Sequence, residues 1–132
     1  MQLILPIYWE QEFVTKNNRF HLVGLNQLFG MHYQVRNKLK QHFHSLVLAH
    51  ENLTPILTSY TVEYKLYYKN VKSDPGNIIA GIEKVLLDGL QEAKLITEDN
   101  PNYHLGTTWS VVGQDKLNPR VEITLKEQPN EL

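Results

Sequence analysis

The chain contains no cysteine, which excludes disulfide bonds and thiolate metal sites. It also lacks a long hydrophobic run, because no apolar segment approaches the roughly 20 residues that a membrane-spanning helix needs. The start, MQLILPIYW, has no basic residue and carries Pro6 within its short apolar stretch, which favours a strand over a signal peptide. We therefore expect a cytoplasmic protein without a membrane segment.

Internal repeats, low-complexity stretches and linkers are also missing from the sequence. Its 132 residues are enough for one domain with one hydrophobic core. The composition, 42% hydrophobic and 20% charged, is typical of a globular protein. We expect a single domain over residues 1–132, with a frayed tail at 127–132.

A strong net charge is absent as well, and the value of −1 is not typical of a nucleic-acid-binding protein. The charges are nevertheless distributed unevenly. Residues 1–72 carry eight Lys or Arg and four Asp or Glu, whereas residues 73–132 carry five and ten. A basic first half and an acidic second half suit a metal-dependent enzyme that acts on a polyanion. They suit charge pairing within the chain equally well.

Hydrophobic periodicity predicts the order β-α-β-α-β-β. Apolar residues alternate with polar ones in the segment 58–70, which is typical of a strand, and recur at helical spacing from about 31 to 50 and from about 75 to 93. Further strands are predicted at 2–9, 106–113 and 119–126, and residues 10–27 form a long polar loop. The pattern therefore predicts an α+β fold, with two helices packed on an open mixed sheet.

The chemistry-bearing residues gather around the second predicted helix. Asp74 and Pro75 form a good helix start, because Asp caps free N–H groups and Pro is favoured in the first turn. Asn77, Lys84 and Asp88 share one stripe of that helix. A structural N-cap and a surface Lys–Asp pair explain the same residues without any function.

A second acidic segment, Glu98-Asp99-Asn100-Pro101, follows the helix and is typical of a turn. If the two acidic segments form a site, its chemistry is phosphodiester hydrolysis. Mg²⁺ takes oxygen ligands and is typically held by one or two carboxylates together with substrate phosphate. A nearby Lys would neutralise the charge that develops on the transferred group.

These spaced elements resemble the motif of the RusA-type Holliday junction resolvases, which has Asp-x-Asp-Asn, a Lys, Asp-Ala-Leu and an Asp-Asp pair in that order. The matching residues are Asp74-Pro75-Gly76-Asn77, Lys84, Asp88-Gly89-Leu90 and Glu98-Asp99. The similarity extends over most of the chain, from LPIYW through Asn17-Asn18-Arg19-Phe20 to the last predicted strand.

The resemblance implies a Mg²⁺-dependent homodimeric endonuclease that resolves four-way DNA junctions in recombination and repair, in the cytoplasm of a bacterial host or phage-infected cell. By that similarity Asp74 and Asp99 bind the metal and act in catalysis, Glu98 assists in metal binding, and Lys84 is the catalytic lysine. The residues expected to contact DNA are Lys16, Arg19, Lys69 and Lys72.

Two departures from the family pattern leave a second interpretation open. Gly76 replaces the second motif Asp, and four additional residues separate Asn77 from Lys84. Glu98 or Glu83 could supply the missing oxygen ligand. The alternative is a dimeric DNA-binding or regulatory module that retains the fold without the chemistry.

A third interpretation, from a different class, is a protein–protein adaptor that binds through its Tyr-rich strand and long loop. The six histidines carry no further prediction of a metal site, because none has the i,i+4 spacing with a Glu partner that a zinc-protease helix requires. We expect structural roles for them.

Overall fold

The computed structural model describes residues 1–11 and 20–128, which form a single α+β domain with a mixed sheet. Its elements, in chain order, are β1 Gln2–Pro6, β2 Tyr8–Glu10, β3 Phe20–Leu22, α1 Leu25–Gly30, α2 Tyr33–Leu48, β4 Ser59–Tyr68, α3 Pro75–Glu92, β5 His104–Gln114 and β6 Arg120–Gln128. Among these described residues, no helix is both long enough and apolar enough to cross a membrane.

Four strands form the main sheet in the order β1-β6-β4-β5, and β2 pairs with β3 in a separate two-stranded ribbon. β6 runs antiparallel to both β1 and β4, whereas β4 and β5 are parallel. Parallel neighbours need a crossover connection, and α3 is that connection. The loops before and after α3 therefore lie at opposite ends of the sheet.

The alternation in β4 decides which face of the sheet is buried. Tyr60, Val62, Tyr64 and Leu66 are each at most 1% exposed, whereas Lys65 on the opposite face is exposed to solvent. α3 packs against the inner face of β4 and also contacts α1 and α2. The hydrophobic core lies in this space between the sheet and the helices.

α3 begins where the sequence predicts. The Asp74 side chain accepts a hydrogen bond from the Gly76 N–H at 3.0 Å, and Pro75 occupies the first turn. The helix ends before Lys94, whose φ of 60° places it in the left-handed region that stops a helix. Nine of its residues are buried, so α3 is the central helix of the domain.

The predicted order of four strands and two helices is confirmed for the main sheet, but the prediction was wrong in detail near the start. The described part of the expected long loop, residues 10–27, contains β3 and the first three residues of α1, a helix that was not predicted, so the described domain has three helices. The first predicted strand is two strands that separate at Ile7, whose carbonyl accepts from the Val23 N–H at 2.8 Å. Glu127 and Gln128 belong to β6 and are not frayed. Residues 129–132 lie outside the described part.

Candidate functional site

The first part of the site is the corner between β4 and α3, which carries Asp74. This side chain is exposed and accepts a hydrogen bond from the Gly76 N–H. It therefore has the role of a helix N-cap, which explains Asp74 without any function. A small cavity of about 190 Å³ adjoins the corner and is lined by apolar residues of β4 and β5 together with Ser73 and Pro75. Asp74 therefore lies near the ends of β4 and β5.

Asn77 and Lys84, the next two motif residues, differ in their surroundings. Asn77 joins α3 to the start of α1: its Oδ1 accepts from the Asn26 N–H at 2.9 Å, and its Nδ2 donates to Gln27 Oε1 at 2.9 Å. Lys84 is exposed. Asp88 pairs with Lys40 of α2 at 3.6 Å, and not with Lys84 as the surface-pair alternative would have it.

The second part of the site is the loop of residues 98–102, which we call the acidic loop. The Tyr60 hydroxyl donates to the Glu98 carbonyl at 2.9 Å. The Glu98 carboxylate accepts from the Asn100 amide, and Asp99 is exposed. The loop is a turn, as its composition predicts, and it is attached to the first residues of β4.

The structure does not bring Asp74 and Asp99 together within one copy of the chain. Asp74 neighbours the end of β4 near Leu66, whereas the acidic loop contacts Tyr60 at its beginning. Leu66 lies six positions beyond Tyr60 along the strand, which is about 20 Å at roughly 3.3 Å per residue. In the described part of the chain, no group of three or more His, Asp or Glu side chains is arranged to hold a metal ion.

Glu83, which the sequence offers as a possible oxygen ligand or as a solvated helix residue, is part of a half-buried polar cluster between α3 and β5. The Thr107 hydroxyl donates to its carboxylate at 2.7 Å. His104 Nε2 lies 2.8 Å from the same hydroxyl and 3.8 Å from Glu83 Oε1. The His104 ring stacks on Tyr60, with centroids 5.5 Å apart and planes 8° from parallel. His104 is thus held by the Tyr60 ring and by the Thr107 hydroxyl.

Two buried tyrosines border this cluster, and both hold their protons strongly. Burial, followed by the negative charges of Asp99 and Glu83, raises the pKa of Tyr60 to about 12. Burial and Glu83 raise the pKa of Tyr64 well above its ordinary value. The Tyr64 hydroxyl is buried beside the Glu83 carboxylate, but its geometry falls short of a regular hydrogen bond. A carboxylate beside two buried phenols disfavours ionisation of both.

The sequence could not reveal this cluster, because its members come from three elements whose pairing is set by the fold. Thr107 pairs with Val62 in the parallel register of β4 and β5, so it faces the helices and reaches Glu83. The alternation of β4 does predict the inward orientation of Tyr64. No local pattern identifies Glu83 as the residue that Thr107 meets.

The predicted DNA-binding residues are described only in part. Lys69 and Lys72 are exposed on the connection between β4 and α3, beside Asp74. The Lys69 ammonium lies 5.4 Å from the centre of the Tyr8 ring. Lys16 and Arg19 fall outside the described residues. Two basic side chains therefore lie at the same end of the sheet as Asp74.

β5 lies at the edge of the main sheet, and its sequence lacks the residues that usually prevent an edge strand from pairing with another chain. Its residues 105–114 include no charged residue and no proline, which are the usual protections of a sheet edge. Register shifts against β4 flank the regular stretch 106–111. Trp109 and Val111 are 46% and 43% exposed on the helix-facing side, next to buried Tyr64 and Leu66. Among the strands of residues 1–11 and 20–128, none pairs with this edge of β5.

Comparison with known proteins assigns neither a family nor a function to the chain. No protein-family model matches the chain, and no curated protein matches it either. The resemblance to the RusA-type resolvases rests on the residues Asp74, Lys84, Asp88 and Asp99 and on their order, and it remains a prediction.

Proposed function

We propose that the protein is a Mg²⁺-dependent endonuclease that cuts four-way DNA junctions and works as a homodimer. The observation that supports this best is the placement of two exposed carboxylates, Asp74 and Asp99, on anchored backbone. Asp74 caps α3, and the loop of Asp99 is hydrogen-bonded to Tyr60. Exposed carboxylates on fixed backbone suit a hydrated divalent cation.

The chain's own residues supply charge as well as ligands. Lys69 and Lys72 flank the Asp74 corner and would pair with DNA phosphates on either side of the cut. Lys84 is exposed on α3, ten residues and about 15 Å beyond Asp74 along the helix axis. When bound, Mg²⁺ would polarise the scissile phosphate and lower the pKa of a water molecule.

One copy of the chain does not fit a cation shared by Asp74 and Asp99, because the two residues lie at opposite ends of β4. A second copy can remove this separation. If the β5 edges of two copies pair antiparallel, the beginning of one β5 lies beside the end of the other. Asp99 of the partner subunit then comes to the same end of the joined sheet as Asp74.

The β5 edge favours this arrangement. It is uncharged over ten residues, so two copies do not repel each other, and its open backbone groups can form a ladder with an identical strand. A two-fold axis near Trp109 would place both α3 helices on one face of a continuous sheet. It would also create two identical sites, which suits paired cuts in a two-fold symmetric junction.

The experiment is a cleavage assay on a labelled mobile four-way junction, with Mg²⁺ or with EDTA, beside a linear duplex of the same sequence. We expect symmetric nicks that need Mg²⁺ and are confined to the junction. Asp74→Asn and Asp99→Asn should each abolish cleavage and leave junction binding intact. Asp88→Asn is the matched control, because Asp88 pairs with Lys40 and should not be required.

Mixing the two inactive variants tests the shared site. In a mixed dimer, one site combines Asp74 of the Asp99→Asn copy with Asp99 of the Asp74→Asn copy and is intact. In an equal mixture about half of the dimers are mixed, and each of these has one intact site of two. We therefore expect about one quarter of wild-type nicking, as single nicks and not paired cuts. A site within one chain would give no recovery.

Two other outcomes would contradict the proposal in different ways. Junction binding without any product in Mg²⁺ or Mn²⁺ would favour the DNA-binding module, and Gly76 is the observation that makes this the second candidate. Absence of salt-sensitive junction binding would remove both DNA functions.

A further inference from the structure

The acidic loop is held by one residue of β4 at both of its ends. Tyr60 donates through its hydroxyl to the Glu98 carbonyl at 2.9 Å and through its backbone N–H to the Tyr103 carbonyl at 2.7 Å. The His104 N–H donates to the Asn100 carbonyl at 2.9 Å and closes the turn between them. Asp99 is therefore carried by a short arch whose two ends both bond to Tyr60.

The Tyr60 side chain is itself fixed in place. Its ring is fully buried and stacks on His104. His104 is in turn held by Thr107, and Thr107 by Glu83 on α3. The position of the Tyr60 hydroxyl is thus set by the packing of three elements.

The hydroxyl also remains a donor under all physiological conditions. Its neighbours Asp99 and Glu83 are carboxylates, and together with burial they raise the pKa of Tyr60 to about 12. A protonated phenol close to Asp99 can support the backbone of the arch without adding negative charge near the cation.

Tyr64 is an internal comparison for this role. It lies on the same strand and the same buried face, four residues further along, and is also fully buried. Its hydroxyl borders the Glu83 carboxylate of α3, and among the described residues no hydrogen bond joins it to the acidic loop. The hydrogen bond to the acidic loop therefore belongs to Tyr60 and is not a general property of tyrosines on this face.

We propose that Tyr60 is a positioning residue, whose hydroxyl fixes the backbone of Glu98 and thereby the direction in which Asp99 presents its carboxylate to the cation. This inference rests on the proposed function, because it assigns Asp99 to metal binding. Tyr60 touches neither metal nor substrate, and it acts through the carbonyl of Glu98.

The test compares Tyr60→Phe with Tyr64→Phe in the full chain. Each substitution removes one buried hydroxyl and retains the ring. For Tyr60→Phe we expect faster amide hydrogen exchange in residues 98–104 and a Mg²⁺ half-saturation for junction nicking about five- to tenfold higher, as the loss of one hydrogen bond implies. The KM for the junction should not change, and kcat at subsaturating Mg²⁺ should fall.

Tyr64→Phe should leave both the exchange of residues 98–104 and the Mg²⁺ half-saturation at their wild-type values. Assays at a temperature where both variants are fully folded, checked by thermal melting, exclude a general loss of stability. Equal Mg²⁺ half-saturation in Tyr60→Phe and wild type would overturn the inference, whether or not exchange increases. A wild-type protein that does not nick the junction in any metal would overturn the proposed function, which is a distinct result.

Discussion

The hydroxyl of Thr107 lies 2.7 Å from the Glu83 carboxylate and joins the middle of α3 to the edge strand β5. Both side chains are half-buried between the helix and the sheet. Glu83 has two further polar neighbours, because the Tyr64 hydroxyl borders it and His104 Nε2 lies 3.8 Å from its Oε1. Because the Thr107 hydroxyl donates directly to this half-buried carboxylate, its loss should reduce stability.

We expect Thr107→Val to lower the free energy of unfolding by about 1–3 kcal/mol, because it retains the shape of the side chain and removes the donor to Glu83. Urea unfolding measures the change. Thr108→Val is the matched control, since Thr108 is exposed and should change stability by less than about 0.5 kcal/mol. Equal effects of the two substitutions would contradict the role of the Glu83 contact.

Alkaline pH should destabilise the fold through the buried tyrosines. The pKa of Tyr60 rises from 10.0 to about 12 in the fold, and that of Tyr64 rises as well. Above a pH of about 10 the unfolded chain loses phenolic protons that the folded chain keeps, so the free energy of unfolding falls as the pH rises toward 12. Below that range both states are protonated and the contribution is complete.

Urea midpoints between pH of about 9 and about 11.5 measure this slope. Tyr60→Phe should flatten it, because a residue that titrates only in the unfolded state has been removed. Tyrosinate absorbance of the folded protein should show fewer ionised residues than the seven tyrosines of the sequence. Ionisation of all seven before any unfolding would be inconsistent with the raised values.

Two glycines of α3 should respond in opposite ways to alanine. A Cβ at Gly81 would lie 2.5 Å from the carbonyl carbon of Gly24 and from the Val23 oxygen, which are backbone atoms. A Cβ at Gly89 would meet only ordinary contacts, the nearest at 3.7 Å from His44 Cα. We expect Gly81→Ala to cost about 1–3 kcal/mol or more and Gly89→Ala to stabilise by up to about 1 kcal/mol.

Thermal melting of the two variants is sufficient, since each serves as the control for the other. The close approach at Gly81 allows the segment before α1 to cross α3, and Asn77 supports the same crossing through Asn26 and Gln27. A stable Gly81→Ala variant would mean that this segment can move away without loss.

Local patterns predicted the elements that carry the site, and they could not predict how the fold arranges them. The alternation of β4 and the cap at Asp74 depend on neighbouring residues, so a single sequence contains them. The separation of Asp74 from Asp99 depends on the parallel pairing of β4 and β5, which no local pattern encodes. The stripe containing Lys84 and Asp88 was predicted correctly as a helix face, but Lys40 comes from another helix and takes Asp88.

Dependence on residues distant in the sequence also explains why α1 was not predicted. α1 is short, and its start is held by Asn77 of α3 through Asn26, a contact across 51 positions. Its six residues are below the length at which a helix forms on its own sequence preference. Tertiary contacts therefore stabilise α1, and its six residues are too few to show helical periodicity in the sequence.

Gly76→Asp should strengthen metal binding at the Asp74 corner. A Cβ at this position would have a single neighbour, Asp74 Oδ1 at 3.5 Å, so an aspartate fits without displacing the backbone. The start of a helix also favours an added negative charge. The new carboxylate would offer a second oxygen ligand beside Asp74, and we expect nicking at a Mg²⁺ concentration at least about tenfold lower than in the wild type.

Gly76→Asn is the matched control for this last prediction, because it has the same size and no charge. Mg²⁺ should raise the melting temperature of the Asp variant more than that of the Asn variant, since a ligand that binds the folded state stabilises it. This comparison does not depend on DNA cleavage. An equal response of the two variants to Mg²⁺ would mean that the carboxylate at position 76 does not reach the cation, and that the corner of Asp74 is a helix cap and no more.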